Sequence, residues 1–317
     1  MSATLAGLLF VAACGSVPLP SLPHVPLPSL PQAQQPLRPR ATFDRIGAAQ
    51  RGDGQTAEAA PLPAGGPAST EPVLWTDAAG HPKGYLAKAG GMDAAALLPP
   101  PPEDADPRGV ADRIAFKETR KLKDSPRWVM AIRDADVETP VALRAFDCAV
   151  GHVFDPEKEP ALGRILAKTA ADIDAANKAP KADFARKRPF LSDDKAPVCV
   201  AKDDWLVHQG SYPSGHAAIG WAWALILSEL APDRAAEITR RGLQFGESRV
   251  VCGVHYPSDV EAGRTVGAAL VARLHGDPAF MADLRRARAD LAAGRLAAPP
   301  MTSTCTIEAA ALKDLAY

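Results

Sequence analysis

Three short stretches of this sequence gather polar side chains of the kind that bind and attack an oxyanion. In the first, Arg188 follows Lys181 by seven positions and stands directly before Pro189. Seven positions are almost two helical turns, so the spacing predicts both cations on one helix face, about 10.5 Å apart in rise. Pro189 disfavours helix at the residue before it, which puts Arg188 at the element's end. The second stretch is Gly210-Ser-Tyr-Pro-Ser214-Gly215-His216, immediately before an apolar run. Small residues leading into a helix leave free backbone N–H groups, and the helix dipole favours an anion there. Ser214 is suited to cap that helix, and Gly215 lets a ligand approach the backbone closely. The third runs from Ser248-Arg249 through an apolar segment to His255 and Asp259. Asp259, four residues on, is placed to accept a hydrogen bond from one imidazole nitrogen of His255. That fixes the tautomer and leaves the other nitrogen as a nucleophile.

Taken singly, each stretch has an ordinary reading: a solvated charged face, a helix cap and a structural His–Asp hydrogen bond. Their weight comes from occurring together.

The elements that must position them read as helices. Leu162, Ile165, Leu166, Thr169 and Ile173 share one face of a segment from Glu159 to about Lys178. Phe280, Leu284, Ala287 and Leu291 do the same near the C-terminus, with Arg285, Arg286 and Arg288 on the solvated side. The segment from Ala217 to Leu230, with Trp221, Trp223, Leu225 and Ile226, is apolar all round, which predicts a helix in the middle of a core. It is too short to be read as a membrane span. No run of strand-period alternation appears. The expected fold is all-α: a single compact helical domain over 84–317 with its site at helix ends.

The N-terminal part differs. Leu5 to Ala13 is a short apolar run ending at Cys14, which resembles the lipobox of bacterial lipoproteins, although no Lys or Arg precedes it. We read 1–14 as an export signal of lipoprotein type. Residues 15–83, dense in Pro and then rich in Gly and Ala, read as a disordered, extended linker. The expected location is periplasmic, anchored to the outer membrane if Cys14 carries lipid. Four further cysteines, Cys148, Cys199, Cys252 and Cys305, form no metal-binding spacing; in an exported chain they allow two disulfides in three connectivities, or buried free thiols, for which Cys252 is suited. A net charge of −1 and 6% aromatic residues give no reason to expect nucleic acid as a partner.

Jointly, the three stretches resemble the signature of the superfamily that unites bacterial class A acid phosphatases, type 2 phosphatidic acid phosphatases and vanadium haloperoxidases. The signature is Lys, six residues, Arg-Pro; then Pro-Ser-Gly-His; then Ser-Arg, five residues, His, three residues, Asp, and all eleven specified positions are filled in order. Gly-Ser-Tyr-Pro-Ser-Gly-His is similar to the extended class A form, as are Leu97 to Pro102 and the wording around Cys252. The resemblance covers about 84–294. Three positions depart from it: Ala217 stands where Thr is usual, Tyr256-Pro257 replaces Trp-Gln, and Pro180 precedes the Lys inside a helix.

The resemblance implies hydrolysis of phosphate monoesters at acidic pH with no metal or other cofactor. His255 attacks phosphorus, oriented by Asp259, and His216 serves as general acid and then base. Lys181, Arg188 and Arg249, with Ser214 and the Gly215 N–H, hold the phosphate. The other readings are a vanadate-dependent haloperoxidase, against which length and wording argue, and a non-catalytic surface lipoprotein. The expected partners are small phosphomonoesters; membrane contact is expected only through Cys14, and a homodimer is compatible with the sequence. The remaining histidines read as linker or surface residues, with His208 bordering the pocket.

Overall fold

The apolar run from Ala217 to Leu230 becomes a core helix buried on most of its surface, with Trp221 and Leu225 only half-buried. The computed structural model describes residues 82–137, 142–296 and 303–312, so the expected export signal and all but the last two residues of the expected linker lie outside the described residues. In chain order the helices are α1 (Pro107–Thr119), α2 (Pro126–Arg133), α3 (Asp147–Val150), α4 (Pro160–Phe184) and α5 (Asp204–His208). They continue with α6 (Gly215–Leu230), α7 (Ala235–Cys252), α8 (Pro257–Leu274), α9 (Pro278–Leu296) and α10 (Ser303–Ala311). Short 3-10 turns and loops join them, and no β-strand occurs among the described residues, as an all-α reading requires.

Helix α6 packs against α4, α7 and α8. Ala217, Ala218, Ala222, Ala224 and Ile226 are all fully buried, and the Trp223 indole N–H reaches the Leu166 carbonyl of α4 at 2.9 Å. Small residues let these helices approach closely. A Cβ on Gly263 of α8 would stand 2.3 Å from the Ser214 carbonyl, so only glycine fits there. Ala217 faces the same interhelical seam, against Gly246 and Gly263, so its departure from the usual Thr is a packing feature.

Helix α4 buries Leu162, Ile165, Leu166, Thr169 and Ile173 as the spacing predicts. It runs six residues past Lys178, with Pro180 inside it. It ends where Ala185 takes a left-handed conformation (φ 44°), with the Ala185 N–H on the Lys181 carbonyl. This corrects one expectation. Lys181 and Arg188 do not share a helix face, because the chain leaves the helix at Ala185 and Arg188 is extended ahead of Pro189 (φ −71°, ψ 150°).

In α9, Phe280, Leu284, Ala287 and Leu291 are buried, whereas Arg285, Arg286 and Arg288 face solvent. The cysteines pair Cys148 with Cys305, tying α3 to α10, and Cys199 with Cys252, at the end of α7. Cys252 is therefore not a free thiol. His152 is not a surface residue either: its imidazole is nearly buried against Glu159, 2.9 Å away. The end of α4 and the start of α6 meet the end of α7 and the start of α8. The Ser214 N–H bonds the Asp259 carbonyl at 2.9 Å, joining two of them.

Candidate active site

The turn between α7 and α8 presents His255. Gly253 closes α7 in a left-handed conformation (φ 85°), and the N–H groups of Val254 and His255 both fold back onto the Arg249 carbonyl. A side chain at 253 would also strike the Arg120 guanidinium, which is stacked there and holds the carbonyls of Val250 and Val251. Pro257 starts α8, and Asp259 lies at its third position. Asp259 Oδ2 accepts the Tyr256 N–H at 2.9 Å, capping the helix, and also faces His255 Nδ1 at 3.3 Å. The capping carboxylate thus orients the imidazole. Nδ1 carries the hydrogen, and Nε2 offers a lone pair, which accepts from Arg188 at 3.2 Å.

Cations close over that nitrogen from separate elements. Lys181, on the last turn of α4, donates to the Gly210 carbonyl at 2.9 Å, which takes one of its three hydrogens. Arg188 comes from the loop after α4 and is anchored on the carbonyls of Gln209 (3.2 Å) and Val254 (3.0 Å). Arg249, on the last turn of α7, is buried with no partner for its Nε or one terminal nitrogen. Donors left unmet in a buried site are costly unless an anion is to take them. Ser214 caps α6, its hydroxyl accepting the Ala217 N–H at 3.3 Å, and Gly215 begins the helix with its N–H outside the intrahelical ladder.

His216 follows on the same turn. Its Nε2 donates to the Ala135 carbonyl at 2.9 Å, which leaves Nδ1 for proton exchange with a ligand. Ala135 follows Asp134, a buried carboxylate gripped by Arg241 from α7 and by the Ser248 hydroxyl. The Ser of the Ser-Arg pair therefore serves the framework behind His216, while Arg249 serves the cage.

The electrostatics follow from burying several cations together. Burial, then repulsion from Arg188, pushes the Lys181 ammonium down to about 7. Burial likewise brings Arg188 down to about 10 and, with repulsion from Arg188, Arg249 to about 9. Burial first and the surrounding cations second push both His255 and His216 well below the usual histidine range, so both imidazoles are neutral in the empty site near neutral pH. All eight residues expected from the sequence stand in this one arrangement.

The sequence reading passed over Arg186, Asp112 and Asn177. Arg186 bridges Asp259 Oδ1 (2.6 Å) and Asp112 (2.8 Å) and stacks on the Tyr256 ring. It lies inside the first stretch, where the sequence does not separate it from its exposed neighbour Lys187. Asp112 is on α1, distant in sequence, and nothing local marks it. Asn177 lies one turn before Lys181 and is almost wholly buried. His208 is exposed and bonds its own helix. The Leu97 to Pro102 segment is seated by the Tyr212 hydroxyl, which bonds the Pro99 carbonyl at 2.9 Å.

A helical scaffold presenting a buried His–Asp pair inside a cage of cations, all at helix ends, defines an oxyanion-handling enzyme of the phosphatase type. Comparison with known proteins agrees. The model of the PAP2 superfamily matches residues 164–278, a span that holds all eight residues. The chain is 42% identical over 222 residues to an acid phosphatase of Zymomonas mobilis, covering 69% of this chain and 83% of that one. It is 37% identical over 235 residues to a non-specific acid phosphatase of Providencia stuartii, covering 74% and 91%. It is 42% identical over 196 residues to a non-specific acid phosphatase of Salmonella typhimurium, covering 61% and 78%. The chain belongs to the PAP2 superfamily and, within it, to the bacterial non-specific acid phosphatases.

Proposed function

We propose that the enzyme hydrolyses phosphate monoesters through a phosphohistidine on His255, without a metal ion and with an acidic optimum. The observation that carries the reading is the neutral Nε2 of His255, held by Asp259 at the focus of Lys181, Arg188 and Arg249. An arriving phosphoryl group draws Arg188 off Nε2 and takes the unmet donors of Arg249, the Lys181 ammonium and the Gly215 N–H. The Nε2 lone pair forms the N–P bond as the P–O bond to the leaving group breaks. His216, which takes up a proton on Nδ1 as the phosphoryl anion enters the cage at low pH, gives that proton to the departing alkoxide. A water then loses a proton to His216 while its oxygen bonds phosphorus and the N–P bond breaks, which leaves His255 neutral and His216 protonated until phosphate departs and His216 releases its proton.

Phosphoryl transfer asks mainly for positioning and neutralisation of the equatorial oxygens, which three cations supply. The same cations would repel a metal ion. The nearby carboxylate of Asp259 is already committed to Arg186, the Tyr256 N–H and His255. Two features support the acidic optimum. His216 is hard to protonate in the empty cage, so its acid form is favoured by low pH and by the incoming negative charge; Lys181 loses its own charge above about pH 7. The two disulfides support export to an oxidising compartment; the periplasm as that compartment and lipid on Cys14 rest on the lipobox-like run from Leu5 to Cys14.

The test is hydrolysis of an aryl phosphate in EDTA by the wild type and by His255→Ala. Full wild-type turnover with none in the variant is expected. Loss of wild-type activity in EDTA would refute metal independence, and an active variant would refute the nucleophile.

A further inference from the structure

Asn177 is buried to 1% exposure, yet neither its amide nitrogen nor its amide oxygen has a hydrogen-bonding partner. Leaving a buried amide unmet destabilises a fold, so such a group is kept where something other than the protein completes it. Its position says what that is. Asn177 lies four residues before Lys181 on α4, so the two side chains are neighbours on one helix face. Its Nδ2 stands 3.7 Å from the point where a Cβ on Gly215 would project, at the first residue of α6. The amide therefore lies between the Lys181 ammonium and the helix start whose N–H groups face an anion. The unprotonated phosphoryl oxygens accept hydrogen bonds, and an amide nitrogen donates them.

We propose that Asn177 is a further phosphoryl-binding residue of this site, donating from Nδ2 to the oxygen that lies against the start of α6. The inference rests on the phosphatase reading. An uncharged donor is useful among cations that repel one another: it adds a bond to the phosphoryl group without lowering the Lys181 pKa further. Two of the Lys181 hydrogens remain after Gly210 takes one, and Asn177 Oδ1 is an unmet acceptor one helical turn away. Asn177 would thereby also steady the ammonium when the anion arrives.

The experiment uses inorganic phosphate as the probe, measured both as a competitive inhibitor of aryl phosphate hydrolysis and through the thermal midpoint it confers. Asn177→Leu keeps the side-chain shape and removes both polar atoms; Asn177→Asp keeps the shape and offers only acceptors when ionised. In the leucine variant the inhibition constant is expected to rise roughly ten- to a hundredfold, the range for a hydrogen bond to a charged group. Without phosphate its thermal midpoint should match or exceed that of the wild type, because an unmet amide has gone. The aspartate variant should bind phosphate more weakly still, and it provides the comparison if the leucine variant does not fold. A lower midpoint with an unchanged inhibition constant in either variant would mean that the amide serves the fold, and would overturn the proposal. A wild type neither inhibited nor stabilised by phosphate would instead overturn the phosphatase reading, and this inference with it.

Discussion

Lys181 carries a charge that the structure makes conditional, and its pH dependence can be worked out in advance. Burial and the nearby Arg188 lower its pKa to about 7 in the empty cage, and kcat/KM reports the ionisation of the free enzyme. Because the shift is downward, the ammonium is present below about pH 7 and is lost above it. Lys181→Met removes that charge at every pH. In the acidic range the ratio of wild-type to variant kcat/KM should be roughly 10 to 150, the worth of a hydrogen bond from a charged donor to phosphate. At about pH 8 only about one wild-type molecule in eleven keeps the charge, so the ratio should fall to about 2 to 15, and by about pH 9 it should approach 1. Substrate ionisation affects both proteins alike and cancels in the ratio; loss of the Lys181 charge raises the His255 pKa in the variant, so the comparison is made at pH values above the acid limb of both proteins. The assay is aryl phosphate hydrolysis at low substrate concentration across that range. A ratio that stays constant from acid to alkaline pH would refute the reasoning.

Three other perturbations test the supporting framework. Arg186→Gln breaks a buried link to Asp259 and Asp112 and should cost about 3–5 kcal/mol of stability. It also leaves more negative charge beside His255, which should raise the imidazole pKa and move the acid limb of kcat/KM upward; an unmoved limb would disconnect Arg186 from the nucleophile. Cys252→Ser opens a link across 53 residues of chain and should lose about 4 kcal/mol in denaturant unfolding. Gly263→Ala drives a methyl into the Ser214 carbonyl, so stability should fall by about 1–3 kcal/mol and kcat/KM should fall with it. Gly276→Ala, whose nearest neighbour is 3.5 Å away, should do neither.

The parts legible in the sequence were those whose signal is local. Helix α6 announced itself by being apolar on every side, and His255 with Asp259 by a spacing that a helix N-terminus converts into contact. The spacing within the second and third stretches carries over directly into turn geometry, which brings Ser214, Gly215 and His216 to one helix start and Asp259 against His255. What stayed hidden depends on distance along the chain or on a single backbone torsion. Asp112 reaches Arg186 from 74 residues away. Extrapolating helical periodicity from Lys181 to Arg188 failed because Ala185 turns left-handed, a conformation that its residue type does not advertise. The Ala135 carbonyl that orients His216 is a backbone group, invisible to any pattern of side chains.

The central claim is that a histidine, not a metal-bound water, attacks phosphorus. Rapid acid-free quenching of the enzyme during turnover of an aryl phosphate in EDTA, followed by peptide mapping, tests it most directly. The expected result is one phosphoryl group on the peptide carrying His255, absent from His255→Ala and persisting longer in His216→Ala, which lacks the base that activates water. Turnover that continues with no phosphorylated histidine at any quench time, or a phosphoryl group mapped to another residue, would contradict it.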